Sequence, residues 1–354
     1  ISAGSAHPSV SFAQSRLTFV HYIVQELAAQ LRRAPSKAKR RHAGYLPGAA
    51  EAFLVRALQQ AYDGAVVWVG DGPAALEERH RDLSTLSPDE QASDAPVWYF
   101  PEQEGLVAGG DAGSSGYRLE TLDRLRRAAA ADTTAGRHPP PIVCTCVQAL
   151  MQRTVAPAQL AAAVIEIRVG AEHDLDALVE QLVRDAGYER VVEVEAGGQL
   201  AVRGGLLDIW PANAEWPLRL EFFGSVIESI RLFDPADQRS RGRRERVRIP
   251  PAVETPVGGD GGGATLLDYL PDRAIFVWSD PDAIGEHAAV MEETAAEQDR
   301  LNPLLPLDAV RTAIDRNPGW SDATVGGDTT EASVERLAFE ASPVPGVFDV
   351  PGGL

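Results

Sequence analysis

The sequence is short of cysteine, of basic residues and of long apolar runs, and each shortage excludes something. Cys144 and Cys146 are its two cysteines. They alternate within IVCTCVQAL and therefore share one face of a strand. Two sulfurs with no histidine nearby cannot complete a four-ligand zinc site, so they read as small buried hydrophobes, reduced in the cytoplasm. No apolar stretch reaches membrane-spanning length and no charged-then-apolar leader is visible, so a cytoplasmic protein, with no membrane partner, is expected. Lysine and arginine number 33 against 51 aspartates and glutamates, a net charge of −18. So acidic a chain is a poor general binder of nucleic acid, whose backbone needs clustered cations.

Catalytic patterns are missing too. The seven histidines (His7, His21, His42, His80, His138, His173 and His287) are scattered, with no HExxH spacing. There is no GxSxG elbow, no GxxxxGK[ST] loop and no solenoid-length repeat. Asp208, Glu221 and Glu228 could be drawn as a carboxylate set, but their strand context favours solvated faces or strand-to-strand ion pairs. No catalytic residue and no metal ligand is assigned.

What is present begins with an α/β pattern. LTFVHYIVQELAAQL (17–31) carries apolar residues at helical spacing. A helix and a buried strand at 65–69 follow; APVWYFP (95–101) and IVCTCVQAL (142–150) read as two further apolar strands. Helix-like GPAALEERHRDL and YRLETLDRLRRAAAA lie between them. Short two-sided apolar strands alternating with helices indicate a parallel sheet covered on both faces. The same character returns at LLDYLPDRAIFVWSDPDAIGEHA (266–288), with a strand at 274–278. VGGDGGG (257–263) reads as a flexible linker, and from Asn317 the composition thins into Gly, Pro, Thr and Asp. Two basic runs, Arg32, Arg33, Lys37, Lys39, Arg40 and Arg41, and Arg239, Arg241, Arg243, Arg244, Arg246 and Arg248, read as solvated loops or linkers. Their functional alternative is a docking patch for an acidic partner or for DNA.

Between the two α/β stretches, 188–240 changes period to two, the pattern of half-buried strands. Gly197-Gly198 is expected to turn a tight hairpin between VVEVE and QLAVR, bringing Arg190 near Arg203 across the pair. Gly204-Gly205 is expected to be a bulge or bend. Along QLAVR, Gln199, Ala201 and Arg203 share the exposed face and Leu200 and Val202 the core. Phe222, Phe223 and Phe233 are expected in the core.

The string GYERV, GGQLAVRGGLLDIWP, PLRLEFFG, IESIRLFDP and QRS resembles the UvrA-interaction domain shared by the excision-repair subunit UvrB and the bacterial transcription-repair coupling factors. LPGAAEAFLVRAL, WYFPEQEGL, YRLETLDRL and VQALMQRTVAP look like blocks of the coupling factors' N-terminal UvrB-homology module. The resemblance implies a degenerate RecA/helicase-like parallel-sheet α/β domain with an inserted, mostly antiparallel β domain. Its divisions would be 1–155 and 253–316 for the α/β part, 156–252 for the β part, and 317–354 for a flexible tail or the start of another domain. It also implies UvrA as partner, with Arg190, Gln199 and Arg203 in the contact surface. In UvrB a further arginine stands at the position of Ala201.

Two departures bear on function. The stretch matching the phosphate loop of nucleotide-binding relatives is Tyr45 to Ala52, with Gly48 inside it. Glu51 stands where the lysine is needed and Ala52 where the hydroxyl is needed. A carboxylate repels triphosphate, so no cofactor is expected in this chain. ATP and Mg²⁺ would belong to motor domains of a parent translocase, as would contacts with RNA polymerase and DNA. After WYFP there is no aromatic residue until Tyr117, so the tyrosine-rich hairpin with which UvrB clamps damaged DNA is absent. The chain opens on Ile1 and stops on PGGL, and it is expected to be a monomeric, non-enzymatic piece of a longer protein. A divergent UvrB with a working ATPase and a stand-alone UvrA-binding adaptor remain open alternatives.

Overall fold

The computed structural model describes residues 12–33, 39–44, 46, 49–86, 97–103, 112–130, 140–212, 214–254, 263–297, 304–326 and 335–337. The chain runs through α1 (Phe12–Arg33), β1 (Arg40–Ala43), α2 (Ala50–Ala61), β2 (Ala65–Gly70), α3 (Pro73–Thr85) and β3 (Val97–Phe100). It continues with α4 (Ala112–Ala130), β4 (Ile142–Cys146), α5 (Val147–Met151) and α6 (Pro157–Ala163). These supply half of an α/β domain. Every residue of β2 and β4 is buried, as it must be in strands covered by helices on both faces.

A second unit interrupts that domain. It comprises β5 (Ile165–Arg168), α7 (Leu175–Arg184), β6 (Glu189–Arg190), β7 (Gln199–Arg203), β8 (Leu206–Trp210), β9 (Leu218–Phe223), β10 (Val226–Phe233), β11 (Ser240–Arg244) and β12 (Arg246–Ile249). The α/β domain then resumes with a 3₁₀ turn (Leu266–Tyr269), β13 (Ala274–Ser279), α8 (Pro281–Glu297), α9 (Leu307–Arg316), β14 (Trp320–Val325) and β15 (Glu335–Arg336).

The α/β sheet has seven strands in the order β15-β1-β14-β13-β2-β4-β3, and its pairings are parallel. The inserted sheet has six, β11-β10-β9-β8-β7-β6, antiparallel except between β6 and β7. α7 covers one face of it. Asp174 caps that helix by accepting from the Ala177 amide at 2.9 Å. Leu178, Val179 and Leu182 then pack with Leu200, Leu207, Ile209, Leu220, Ile227 and Ile230 in a core of the module's own. The expected fold class, a parallel α/β domain with an inserted, mostly antiparallel β unit, is the one found.

Several local expectations are corrected. IVCTCVQAL is two elements: the strand ends at Cys146 and Val147–Met151 is a helix, both mostly apolar because, Gln148 aside, both are buried. Both thiols are free and buried, and burial raises each to about 12. The basic runs are not simply loops. Arg40 and Arg41 lie in β1, and Arg241, Arg243, Arg244, Arg246 and Arg248 lie in β11 and β12. The thinning of composition at Asn317 does not end the fold, because β14 sits between β1 and β13 with Trp320, Ala323 and Val325 buried. Most of VGGDGGG lies outside the described residues.

Where the module leaves and re-enters the α/β domain, a buried polar knot ties the two. Arg118 on α4 and Glu254 after β12 are fully buried and meet at 2.6 Å. Arg118 also donates to the Pro101 carbonyl at 2.8 Å and stacks on Phe100 at 4.2 Å. The Thr154 hydroxyl donates to Glu254.

Candidate partner-binding site

The outer face of the inserted sheet follows from its register. Alternation along β7, β8, β9 and β10 sends Leu200, Leu207, Leu220 and Ile230 toward α7, and Arg203, Asp208, Arg219, Glu221 and Arg231 the other way. The carboxylate of Asp208, 2% exposed, is the centre of this polar face. Arg219, directly across from it, donates twice, at 2.7 and 2.8 Å. Arg203 donates once, at 2.9 Å. Phe233 lies beneath Arg219, 4.3 Å from ring centroid to guanidinium carbon. Beside it, Ser229 and Arg231 both donate to Glu221. The Ser229 hydroxyl, then the Arg231 cation, hold the Glu221 carboxyl below its usual range.

The expected hairpin at Gly197-Gly198 is not there. β6 runs parallel to β7, with Glu189 beside Gln199 and Arg190 beside Leu200. Gly197 is needed for a different reason, because a Cβ on it would lie 2.5 Å from the Ala212 carbonyl oxygen. The hairpin turn is instead Gly204-Gly205, closing the Arg203–Leu206 pair with Gly204 at φ +59°. Arg190 consequently does not meet Arg203. Three residues of register separate them, about 10 Å along the strand, and alternation places them on opposite faces. Among the described residues Arg190 is exposed and forms no ion pair with Glu193 or Glu195.

Gln199 is engaged internally. Its carbonyl accepts from the amides of Glu195 and Ala196 at 2.9 and 3.1 Å, and its amide donates to Glu189 at 3.1 Å. It shapes the 195–196 loop. Ala201 is buried with Val194 and Phe233, not exposed as its face suggests. Arg203 keeps nearly half its side chain in solvent while anchored on Asp208. Phe233 is core as expected and Phe222 packs against the core, but Phe223 is 80% exposed. It stands at the end of β9 beside the Gly204-Gly205 turn, since Phe222 donates its amide to the Gly205 carbonyl at 2.8 Å. An arginine and a bare aromatic ring thus occupy one tip of the sheet. The sequence carried the signal: two adjacent phenylalanines in a one-sided strand cannot both face inward.

In the α/β domain, Gly48 lies outside the described residues, and Glu51 and Ala52 form the first turn of α2. The Glu51 carboxylate accepts the Ser279 hydroxyl at 2.5 Å, and that oxygen accepts Trp68 Nε1–H at 2.7 Å. Arg79 Nε lies 3.6 Å from the same carboxylate. Ala52 is fully buried. No cluster of three or more His, Cys, Asp or Glu side chains suited to a metal occurs among the described residues. No described helix is long and apolar enough to cross a membrane.

Residues 165–254, from the first residue of β5 to the buried Glu254, match the model of the UvrB interaction domain. The chain is also similar to the transcription-repair-coupling factor of Myxococcus xanthus, 34% identical over 213 residues, which is 59% of this chain and 17% of that protein. The Escherichia coli (strain K12) transcription-repair-coupling factor is 32% identical over 223 residues, 63% of this chain and 18% of the relative. UvrABC system protein B of Chlorobaculum tepidum is 34% identical over 135 residues, covering 38% and 19%. The chain spans less than a fifth of the length of these three relatives.

Proposed function

We propose that this chain is the UvrA-recruiting part of a protein of the transcription-repair-coupling type, acting in transcription-coupled nucleotide excision repair in the cytoplasm. The observation that carries the reading is the UvrB interaction domain over 165–254, whose outer face presents Arg203 and Phe223 together. Arg and aromatic side chains are the usual energetic centres of interfaces. Arg203 and Phe223 are the main contact, Arg190 a separate one on the opposite face, and Gln199 a positioning residue.

A coupling factor is favoured over UvrB by the extent of similarity, 59% and 63% of this chain against 38%. The residues at the degenerate phosphate loop support the same choice. Glu51 is engaged by Ser279 and lies 3.6 Å from Arg79, which supports an α/β domain that takes no nucleotide and a chain that is no ATPase. ATP-driven translocation, with its Mg²⁺, RNA polymerase and DNA contacts, belongs to parts of such a protein beyond the matched residues. The chain itself acts as a monomer.

Calorimetry of the purified chain with UvrA tests this, wild type beside Arg203→Ala and Phe223→Ala, with ATP titrated in a parallel cell. Alanine is chosen at 203 because a glutamate there would face the buried Asp208 carboxylate and confound binding with stability. Wild type is expected to bind and each variant to lose about tenfold or more in affinity. Equal binding by all three would refute the interface, and heat from ATP alone would refute the nucleotide-free domain.

A further inference from the structure

The second basic run has no part in the proposed UvrA contact, and the fold gives it a place of its own. In the inserted module most arginines have a carboxylate: Arg168, Arg184, Arg219, Arg231 and Arg241 are each ion-paired. Arg244 on β11 and Arg246 on β12 form no salt bridge among the described residues, although the charge of Arg246 acts on the exposed Glu166 carboxylate, and Arg127 on α4 of the α/β domain forms none either. All three line one recess of about 370 Å³ between α4 and the module. Its two acids, Glu120 and Asp123, are already taken. Arg124 pairs with Glu120, and Arg126 and Arg248 with Asp123. The recess is therefore cationic in a chain whose net charge is −18.

Its wall is not simply polar. Val164, Pro211, Leu218, Leu232 and Trp216 line it beside the arginines. Arg241 lies over the Trp216 ring, 5.3 Å from its centroid. β11 is the edge strand of its sheet, so its outer row of backbone groups has no strand partner among the described residues. Guanidinium forks, an apolar wall and a free strand edge fit one kind of ligand well, an extended peptide alternating carboxylates with apolar side chains. Nucleic acid fits less well. Three unpaired arginines neutralise few phosphates, and the surrounding negative charge opposes a polyanion.

We propose that the recess between α4 and the β11–β12 strands is a docking site for an acidic, extended peptide segment of a partner, separate from the Arg203–Phe223 tip. Arg127, Arg244 and Arg246 take its carboxylates, and Trp216 and Leu232 take an intervening apolar side chain.

Fluorescence anisotropy tests this with a labelled, N-acetylated peptide of alternating glutamate and leucine, against the full chain at roughly physiological salt. A single-stranded DNA oligonucleotide of equal charge and a lysine–leucine peptide run alongside. The acidic peptide is expected to bind, and Arg244→Ala/Arg246→Ala to weaken it by about tenfold. Trp216→Ala weakens it independently, and both variants keep wild-type melting and UvrA binding. Unchanged peptide affinity in the double variant overturns the proposal, as does tighter binding of the DNA. Simultaneous loss of UvrA binding also overturns it, because the recess would then belong to the UvrA surface.

Discussion

Asp208 is one buried carboxylate shared by two arginines, and the sharing is unequal. Arg219 is itself mostly covered and holds both oxygens, while Arg203 holds one and keeps nearly half its side chain in water. Removing Arg203 leaves Asp208 bidentately paired, so Arg203→Ala is expected to cost under about 1 kcal/mol, as partly exposed pairs do. Asp208→Ala strands two guanidiniums, one against Phe233, and is expected to cost about 2–4 kcal/mol. Urea unfolding of the two variants measures the contrast, and equal losses would mean that Arg203 carries as much of the stability as Asp208. Composition and period place Arg203 on the exposed face and the strand carboxylates on solvated faces or in strand-to-strand ion pairs. They do not say which carboxylate, since that depends on the β8–β9 register. Phe223 shows the opposite case: the doubled aromatic announces that one ring is outside, and the expectation of a core position set that signal aside.

At the scale of elements, the glycines of the module were legible as punctuation but not as geometry. Both Gly-Gly pairs sit where the chain must do something a Cβ forbids. Gly204 turns a hairpin, whereas Gly197 passes against the Ala212 carbonyl while β6 comes in parallel. Nothing local distinguishes those uses, because the second depends on a segment 15 residues away in sequence. The same holds for the knot joining the two domains. Nothing in the local pattern around Arg118 or Glu254 marks the two as partners, yet each is fully buried on the other. Breaking such a pair leaves an uncompensated charge, so Arg118→Ala is expected to cost about 3–5 kcal/mol. Arg118→Met with Glu254→Leu should lose less than the single losses added together, because neither leaves a buried ion behind. Denaturant titration of the two singles and the double reads this directly, and additivity within error would mean that the two side chains do not act on one another.

For the molecule as a whole, the decisive test is where the fold ends. WSDATV has little of the apolar continuity of AVVWVG or AIFVWS, and its neighbours are Gly, Pro, Asp and Thr, so composition reads it as tail. Position outweighs composition here. β14 lies between β13 and β1, pairing with β13 over its whole length and with β1 from Asp322 to Val325, and the Trp320 ring packs at a tilt on Phe276 and donates Nε1–H to the Pro271 carbonyl at 2.9 Å. A chain cut after Asn317 would expose the edge of β13 and leave β1 without its neighbour, a row of unpaired backbone groups beside apolar side chains. Such a truncation is expected to melt the parallel domain or drive it to aggregate. The inserted module, whose core is its own, should persist. Hydrogen exchange on the intact and truncated chains separates the two sheets: protection lost across β2, β4 and β13 but kept across β7 to β10 is the expected pattern. Protection retained everywhere would return 317–326 to the status of a tail, and protection lost in both sheets would make the module dependent on the domain that carries it.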